Sequence, residues 1–459
     1  MERNNKMATM PMPKLMVNMS LPLMFSLLIQ SLYNIVDSIF VSRLGQDALT
    51  AVSLAYPVQI LMIAVAVGTS VGINALLSKS IGAGDPSLTG NAAATGVVLS
   101  LLGTAAFTLL GLFCTDSFVA LFTDDPVIGG ACGEYLQVCM LLCLGTFVGT
   151  MFQRFLQSVG NTFGSMLTLV AGAVTNLVLD PILIFGLLGL PAMGVRGAAI
   201  ATVIGQWVAA VYAVLLNRFR NPAVQPRLKG YRLEGRILAD IYRVGLPTIV
   251  TQALGSVMVS AVNAILMPVS PTSVAFFGVY YKLQNFLFMP MNGLGQAAIP
   301  IVGYNYGAGR QERVQAAFRT AVPMAAGVAL LATAVFCAVP GPLLSLFDAD
   351  REMLAIGIPA LRIISVTFVF AAVTMILGYA ASGLGNGFVN MVGTGLRQVV
   401  ILVPLVWILA KTAGVASVWY AFWAAEPAAA VYAVFSSLRL LRKRGVLTAE
   451  GRRRDEAGT

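Results

Sequence analysis

From Leu15 to Val41 the chain runs through hydrophobic residues interrupted by a few polar ones and one charged group, Asp37. At 1.5 Å per residue this run crosses ~30 Å of hydrocarbon. Eleven more stretches of spanning length follow, near 48–78, 92–114, 127–157, 163–189, 193–216, 240–267, 273–302, 315–340, 354–380, 387–411 and 414–438. A backbone in lipid must satisfy its own hydrogen bonds, so an open chain of such runs folds as helices. The expected fold class is therefore an all-α polytopic membrane protein with twelve transmembrane helices. With 58% of its 459 residues hydrophobic and 10% charged, the chain is far from a soluble domain, where ~25% are charged.

A formal charge of +10 would suggest nucleic acid in a soluble protein, but the cations sit in loops. Arg and Lys crowd the N-terminal tail, the even-to-odd loops and the C-terminal tail, while the opposite loops hold only Arg43, Arg196, Arg351 and Lys411. Cytoplasmic loops carry the excess of basic residues, so both termini and the loop from Asn217 to Arg236 are assigned to the cytoplasm of a multi-pass protein. Nucleic acid is not expected as a partner; the lipid bilayer is. Cys114, Cys132, Cys139, Cys143 and Cys337 have no metal-ligand spacing and read as packing residues. No short hydrophobic segment with a small-residue cleavage site precedes the first span, so no removable signal peptide is expected.

The two halves align at an offset of 225 residues. Leu21-Pro22 answers Leu246-Pro247, Ile81-Gly82-Ala83-Gly84-Asp85 answers Tyr306-Gly307-Ala308-Gly309-Arg310, Leu121 to Asp125 answers Leu346 to Asp350, and Gly160-Asn161 answers Gly385-Asn386. Near the end the offset becomes 220, pairing Gly194-Val195 with Gly414-Val415. Six spans per repeat give both halves the same orientation, a parallel repeat about an axis along the membrane normal. The expected domains are an N-lobe at 1–216, a basic cytoplasmic linker at 217–239, a C-lobe at 240–438 and a basic tail at 439–459. Pro22 and Pro247 recur symmetrically in the first span of each lobe and are candidate hinges.

Charges inside the spans are few. Asp37, Asp180 and Glu426 lie within spans, and Glu134 lies about two turns into the fourth. An acid at the bilayer centre costs at least ~2.5 kcal/mol, and such residues usually face a cavity or an ion path. Gln30, Tyr33 or Asn34, and Asp37 share a helix face, as do Asn176 and Asp180 in TNLVLDP, and Thr202 and Gln206 in the sixth span. If Asp37, Asn176, Asp180 and Thr202 converge, their oxygens suit a hard cation; two neighbouring carboxyls can instead share a proton. The coupling ion is thus H⁺ or Na⁺, with Na⁺ making these four residues metal ligands. Asp180 could alternatively cap or pair locally beside Pro181. Offset 225 maps Asp37 to Val262 and Asp180 to Leu405, so the site is not duplicated. Glu426 could neutralise a cationic substrate, or pair with Arg397 or Lys282. Gln206, Gln252 and Lys282 are further candidates for a substrate cavity.

The segments LPLMFSLLIQSLYNIVDSIFVSRLG, SIGAGD, TNLVLDPILIFG, GVRGAAIATVIGQ and GYNYGAG together resemble the multidrug and toxic compound extrusion (MATE) family, particularly its MepA-like and DinF-like bacterial members. The resemblance covers essentially the whole chain. It implies the MATE/MOP transporter fold, twelve helices in two pseudo-symmetric six-helix lobes, in a bacterial inner membrane. It also implies export of bulky, often cationic amphiphilic compounds in exchange for H⁺ or Na⁺, without a cofactor, by a chain expected to act as a monomer. The family's N-lobe cation site corresponds to Asp37, Asn176, Asp180 and Thr202. The chain departs from some members in having Gln252 in span 7 and no acid between Asp240 and Asp348 except Glu312, so no C-lobe coupling site is carried over.

Two other functions have spans of this kind. A membrane-embedded transferase or hydrolase is disfavoured because the chain has no His, which removes His-based acid–base chemistry and most zinc catalysis. The chain also lacks a GxxxxGK[ST] loop for ATP. A lipid or lipid-linked sugar flippase would need a cationic cavity for phosphate, and the helix cations are too few to favour it. No enzymatic activity is expected.

Overall fold

The computed structural model describes residues 5–227, 231–347 and 349–447. Asp348, residues 228–230 of the linker and the tail from 448 onward lie outside the described residues. Among the described residues every regular element is a helix. The spans are α1 (Met12–Ser42), α2 (Gln46–Gly82), α3 (Pro86–Phe113), α4 (Pro126–Leu141 continuing as Leu144–Ser158), α5 (Thr162–Phe185) and α6 (Gly194–Arg220). They continue with α7 (Gly235–Leu266), α8 (Pro271–Gly307), α9 (Gln311–Ala338), α10 (Arg351–Ser365 continuing as Phe368–Gly383), α11 (Phe388–Thr412) and α12 (Ala421–Lys443).

Among the described residues nine spans are single helices long and apolar enough to cross a membrane, and α4 and α10 are spans bent by 47° and 50°. The twelfth, α12, has 23 residues, about 34 Å of helix. Glu426, Pro427 and a basic last turn make it less apolar than the others.

Differences from the sequence reading are local. The fifth span stops at Phe185 instead of 189, because Gly186 turns left-handed with φ 74°. The twelfth starts at Ala421 instead of 414, behind a turn opened by Gly414 at φ 75°. Spans 4 and 10 break at Leu142–Cys143 and Val366–Thr367, where neither proline nor glycine marks the bend.

The repeat is written in the backbone. Gly84 and Gly309 (φ 67° and 70°), Gly160 and Gly385 (85° and 78°), and Gly194 and Gly414 (54° and 75°) are left-handed pairs, a conformation open to glycine without a Cβ penalty. Asp85 shows why the first turn is so written: its carboxylate accepts from Ser87 N and Leu88 N at 3.0 and 2.9 Å and caps α3. Its counterpart Arg310 instead donates to the Ala8 carbonyl at 2.8 Å.

Two compact units result, one of Met1–Met24 with Leu246–Thr459 and one of Phe25–Gly245. The divisions fall inside α1 and α7, beside Pro22 and Pro247. The reason is local docking of the segment before each proline. Met7 is buried, and its carbonyl accepts from Asn305 at 3.2 Å and Arg313 at 3.1 Å. In the other unit Ile237, Ile241 and Val224 join Ile73, Leu77 and Phe155 in one core. Both prolines lie within continuous helix.

Candidate functional site

The acids of α1 and α5 meet. In the Phe25–Gly245 unit the carboxyl groups of Asp37 and Asp180 lie within hydrogen-bonding reach of one another. Asn176, one turn before Asp180, donates from its amide to Asp180 Oδ1 at 3.1 Å and to Thr202 Oγ1 at 3.4 Å. Asp180 is fully buried and Asn176 nearly so.

Small residues allow this convergence. A Cβ on Gly205 would sit 2.7 Å from the Gly172 carbonyl and 3.1 Å from Asn176 Cβ, and one on Gly197 would sit 2.6 Å from the Leu183 carbonyl. Glycine on the facing surfaces lets the α5 and α6 backbones approach, and Thr202 thereby reaches Asn176. Gly205→Val should therefore push α6 outward, separating Thr202 from Asn176. The expected result is a folded protein with impaired coupled transport, read by efflux at matched membrane levels.

The electrostatics are unbalanced. Asp37 Oδ1, Asp180 Oδ2 and Asn176 Oδ1 are buried oxygens without a hydrogen bond. Buried polar atoms are normally satisfied, and unpartnered ones call for a specific explanation. All three are acceptors, so what completes them is a proton or a cation. Two carboxylates, an amide and a hydroxyl supply oxygen donors of the kind Na⁺ takes, so the set fits either ion. Among the described residues no group of three or more His, Cys, Asp or Glu is placed to hold a metal.

The sequence profile of the MatE family matches residues 22–182 and again 247–408, two copies whose starts lie 225 residues apart at Pro22 and Pro247. The chain belongs to the MatE family. As a MatE protein it is a membrane transporter and not an enzyme. The probable multidrug resistance protein NorM of Thermotoga maritima is 25% identical, the match covering 87% of this chain and 86% of that protein. The multidrug export protein MepA of Staphylococcus aureus is 26% identical, with 95% of each chain covered. An outward-facing structure of a multidrug resistance MATE family transporter of the MOP superfamily superposes with a TM-score of 0.90 at 26% identity, covering 96% of this chain and 99% of that one.

Around the acid pair of this MatE chain the other candidates divide. Gln30 bonds Tyr33, and Tyr33 lies in the field of both carboxyls. Asn34 is exposed. Gln206 accepts from Thr146 at 2.6 Å and makes no bond to the acids. Gln252 and Lys282 are exposed residues of the other unit. Glu426 pairs with Arg397 at 3.3 Å, which decides between the partners considered for it; Lys282 is not one.

Sequence reasoning missed a polar group beside Asp37. Tyr135 of α4 is buried within its field, and Gln59 of α2 donates to Tyr135 Oη at 3.3 Å and to Cys139 Sγ at 3.6 Å. Gln59, an amide in the middle of an apolar span, was the available signal.

Proposed function

We propose that this MatE transporter exports bulky amphiphilic, often cationic compounds by alternating access, driven by the return of H⁺ or Na⁺ through a site at Asp37, Asn176, Asp180 and Thr202. The observation that carries the reading is the facing carboxyls of Asp37 and Asp180, which with Asn176 leave three buried oxygens unsatisfied. Relatives named as multidrug export and multidrug resistance proteins support the substrate class. An ion bound between the acids neutralises a charge that lipid disfavours; its release restores that charge, so the two occupancies favour different conformations. Substrate and ion can exchange only if each biases the same equilibrium.

Asn176 donates its amide to Asp180 and Thr202 and leaves its Oδ1 without a partner, so the set serves either ion. Gradients separate the ions: in liposomes, an imposed pH gradient should drive uptake of tetraphenylphosphonium into the acidic lumen without Na⁺. A response to Na⁺ alone would assign the same site to Na⁺, and a response to neither would end the antiport reading.

Pro22 and Pro247 are the proposed hinges, since the chain passes from one unit to the other beside each. Pro22→Ala with Pro247→Ala should slow turnover at unchanged membrane abundance, because the change of conformation between the two units is what the prolines serve. Turnover at the wild-type rate in the double variant would count against a hinge role. Both termini cytoplasmic, the bacterial inner membrane and a monomeric state complete the proposal, and cysteine accessibility at the termini tests the first.

A further inference from the structure

The second face of α6 is built as a groove. On the side of this helix away from Thr202 lies a cavity of about 840 Å³ lined by Leu142, Ala171, Val203, Trp207, Val211 and Leu215, among others. Its walls are almost wholly apolar, and Trp207, Val211 and Leu215 are substantially exposed. The floor is shaped by the bend in α4: Leu142, at the break, offers its carbonyl to Trp207 Nε1 at 3.1 Å, which fixes the indole as one wall.

The groove follows α6 from Val203 to Leu215, about 18 Å at 1.5 Å per residue. It then meets charge. Arg218 follows Leu215 by three positions, on the same helix face, and is exposed, whereas Arg220 lies on the Thr202 face of the helix. An apolar slot on membrane-spanning helices is bathed by hydrocarbon, and a basic helix end attracts anionic headgroups.

We infer that this groove is a binding site for an anionic phospholipid, one acyl chain lying along α6 between Val203 and Leu215 and the phosphate resting on Arg218. The two halves of the ligand are matched by the two halves of the site, hydrocarbon to hydrocarbon and phosphate to guanidinium. Val203 lines the groove and its neighbour Thr202 bonds Asn176, so a seated chain braces the helix that carries the polar site from behind. The lipid site stands independently of the coupling ion, since none of its residues is an acid of the transport pair.

Native mass spectrometry tests it on the full-length protein, purified in mild detergent and equilibrated with phosphatidylglycerol or phosphatidylcholine. Wild type should retain phosphatidylglycerol in preference. Arg218→Gln should weaken that preference by about five-fold, without changing phosphatidylcholine retention. Val211→Trp, which fills the slot, should reduce retention of both. The exposed arginine variant keeps the test open if the tryptophan variant misfolds. Undiminished preference in the arginine variant, or equal retention of the two lipids by wild type, would overturn the assignment.

Discussion

Asp37→Asn and Asp180→Asn should each reduce drug efflux from hypersensitive cells to the level of cells without the transporter, at unchanged protein abundance. The two acids lie within hydrogen-bonding reach of each other, and neither is held by a cationic partner. Asparagine keeps the shape of the side chain and removes the exchangeable charge. Because an intramembrane acid costs roughly 2.5–3.5 kcal/mol on insertion scales, losing one does not threaten folding. A structural role predicts the opposite, reduced abundance with normal activity per molecule. Thr202→Ala removes one weak bond at 3.4 Å and should be milder, with partial efflux retained.

The second large effect concerns stability. Glu426 in α12 and Arg397 in α11 form an ion pair at 3.3 Å, with the side chains 5% and 17% exposed. Arg397 lies in the π-helical segment Leu396–Leu402, between the two α-helical parts of α11. Removing one member of a buried pair leaves an uncompensated charge, at a cost of roughly 3–5 kcal/mol, whereas replacing both by apolar residues of similar volume is often close to neutral. Glu426→Ala should therefore lower the melting temperature in detergent steeply, and Arg397→Met with Glu426→Met should recover most of the loss. A single variant as stable as wild type would show that the pair does not hold α11 against α12. The pair sits in the half of the chain without the carboxyl site, so the double variant should keep gradient-driven efflux.

The features legible in the sequence are those fixed by local chemistry. Spanning runs give helices because lipid leaves no other partner for the backbone. Gly84, Gly160 and Gly194 recur with their counterparts because a left-handed turn accepts glycine most readily. Asp37 and Asp180 stood out because lipid disfavours them, and helical spacing attached Asn176 to Asp180.

What escaped depends on packing between segments distant in the chain. The bends at Leu142–Cys143 and Val366–Thr367 arise without a breaking residue. Tyr135 and Gln59 reach the neighbourhood of Asp37 only once α2 and α4 are folded against α1. The unit boundary inside α1 follows from carbonyls of Met7, Ala8 and Met10 held by Asn305, Arg310 and Arg313, bonds between residues about three hundred positions apart. The Arg397 pairing of Glu426 was among the partners the sequence offered, and the choice of Arg397 over Lys282 needed the folded helices.

The most direct measurement follows ion counterflow in liposomes carrying either wild type or the Asp37→Asn, Asp180→Asn double variant. Tetraphenylphosphonium moving down its own gradient should drive protons the other way with wild type, seen by a trapped pH dye, and drive none with the double variant. Proton or Na⁺ counterflow at the wild-type rate in the double variant would contradict the assignment of the coupling site to this carboxyl pair.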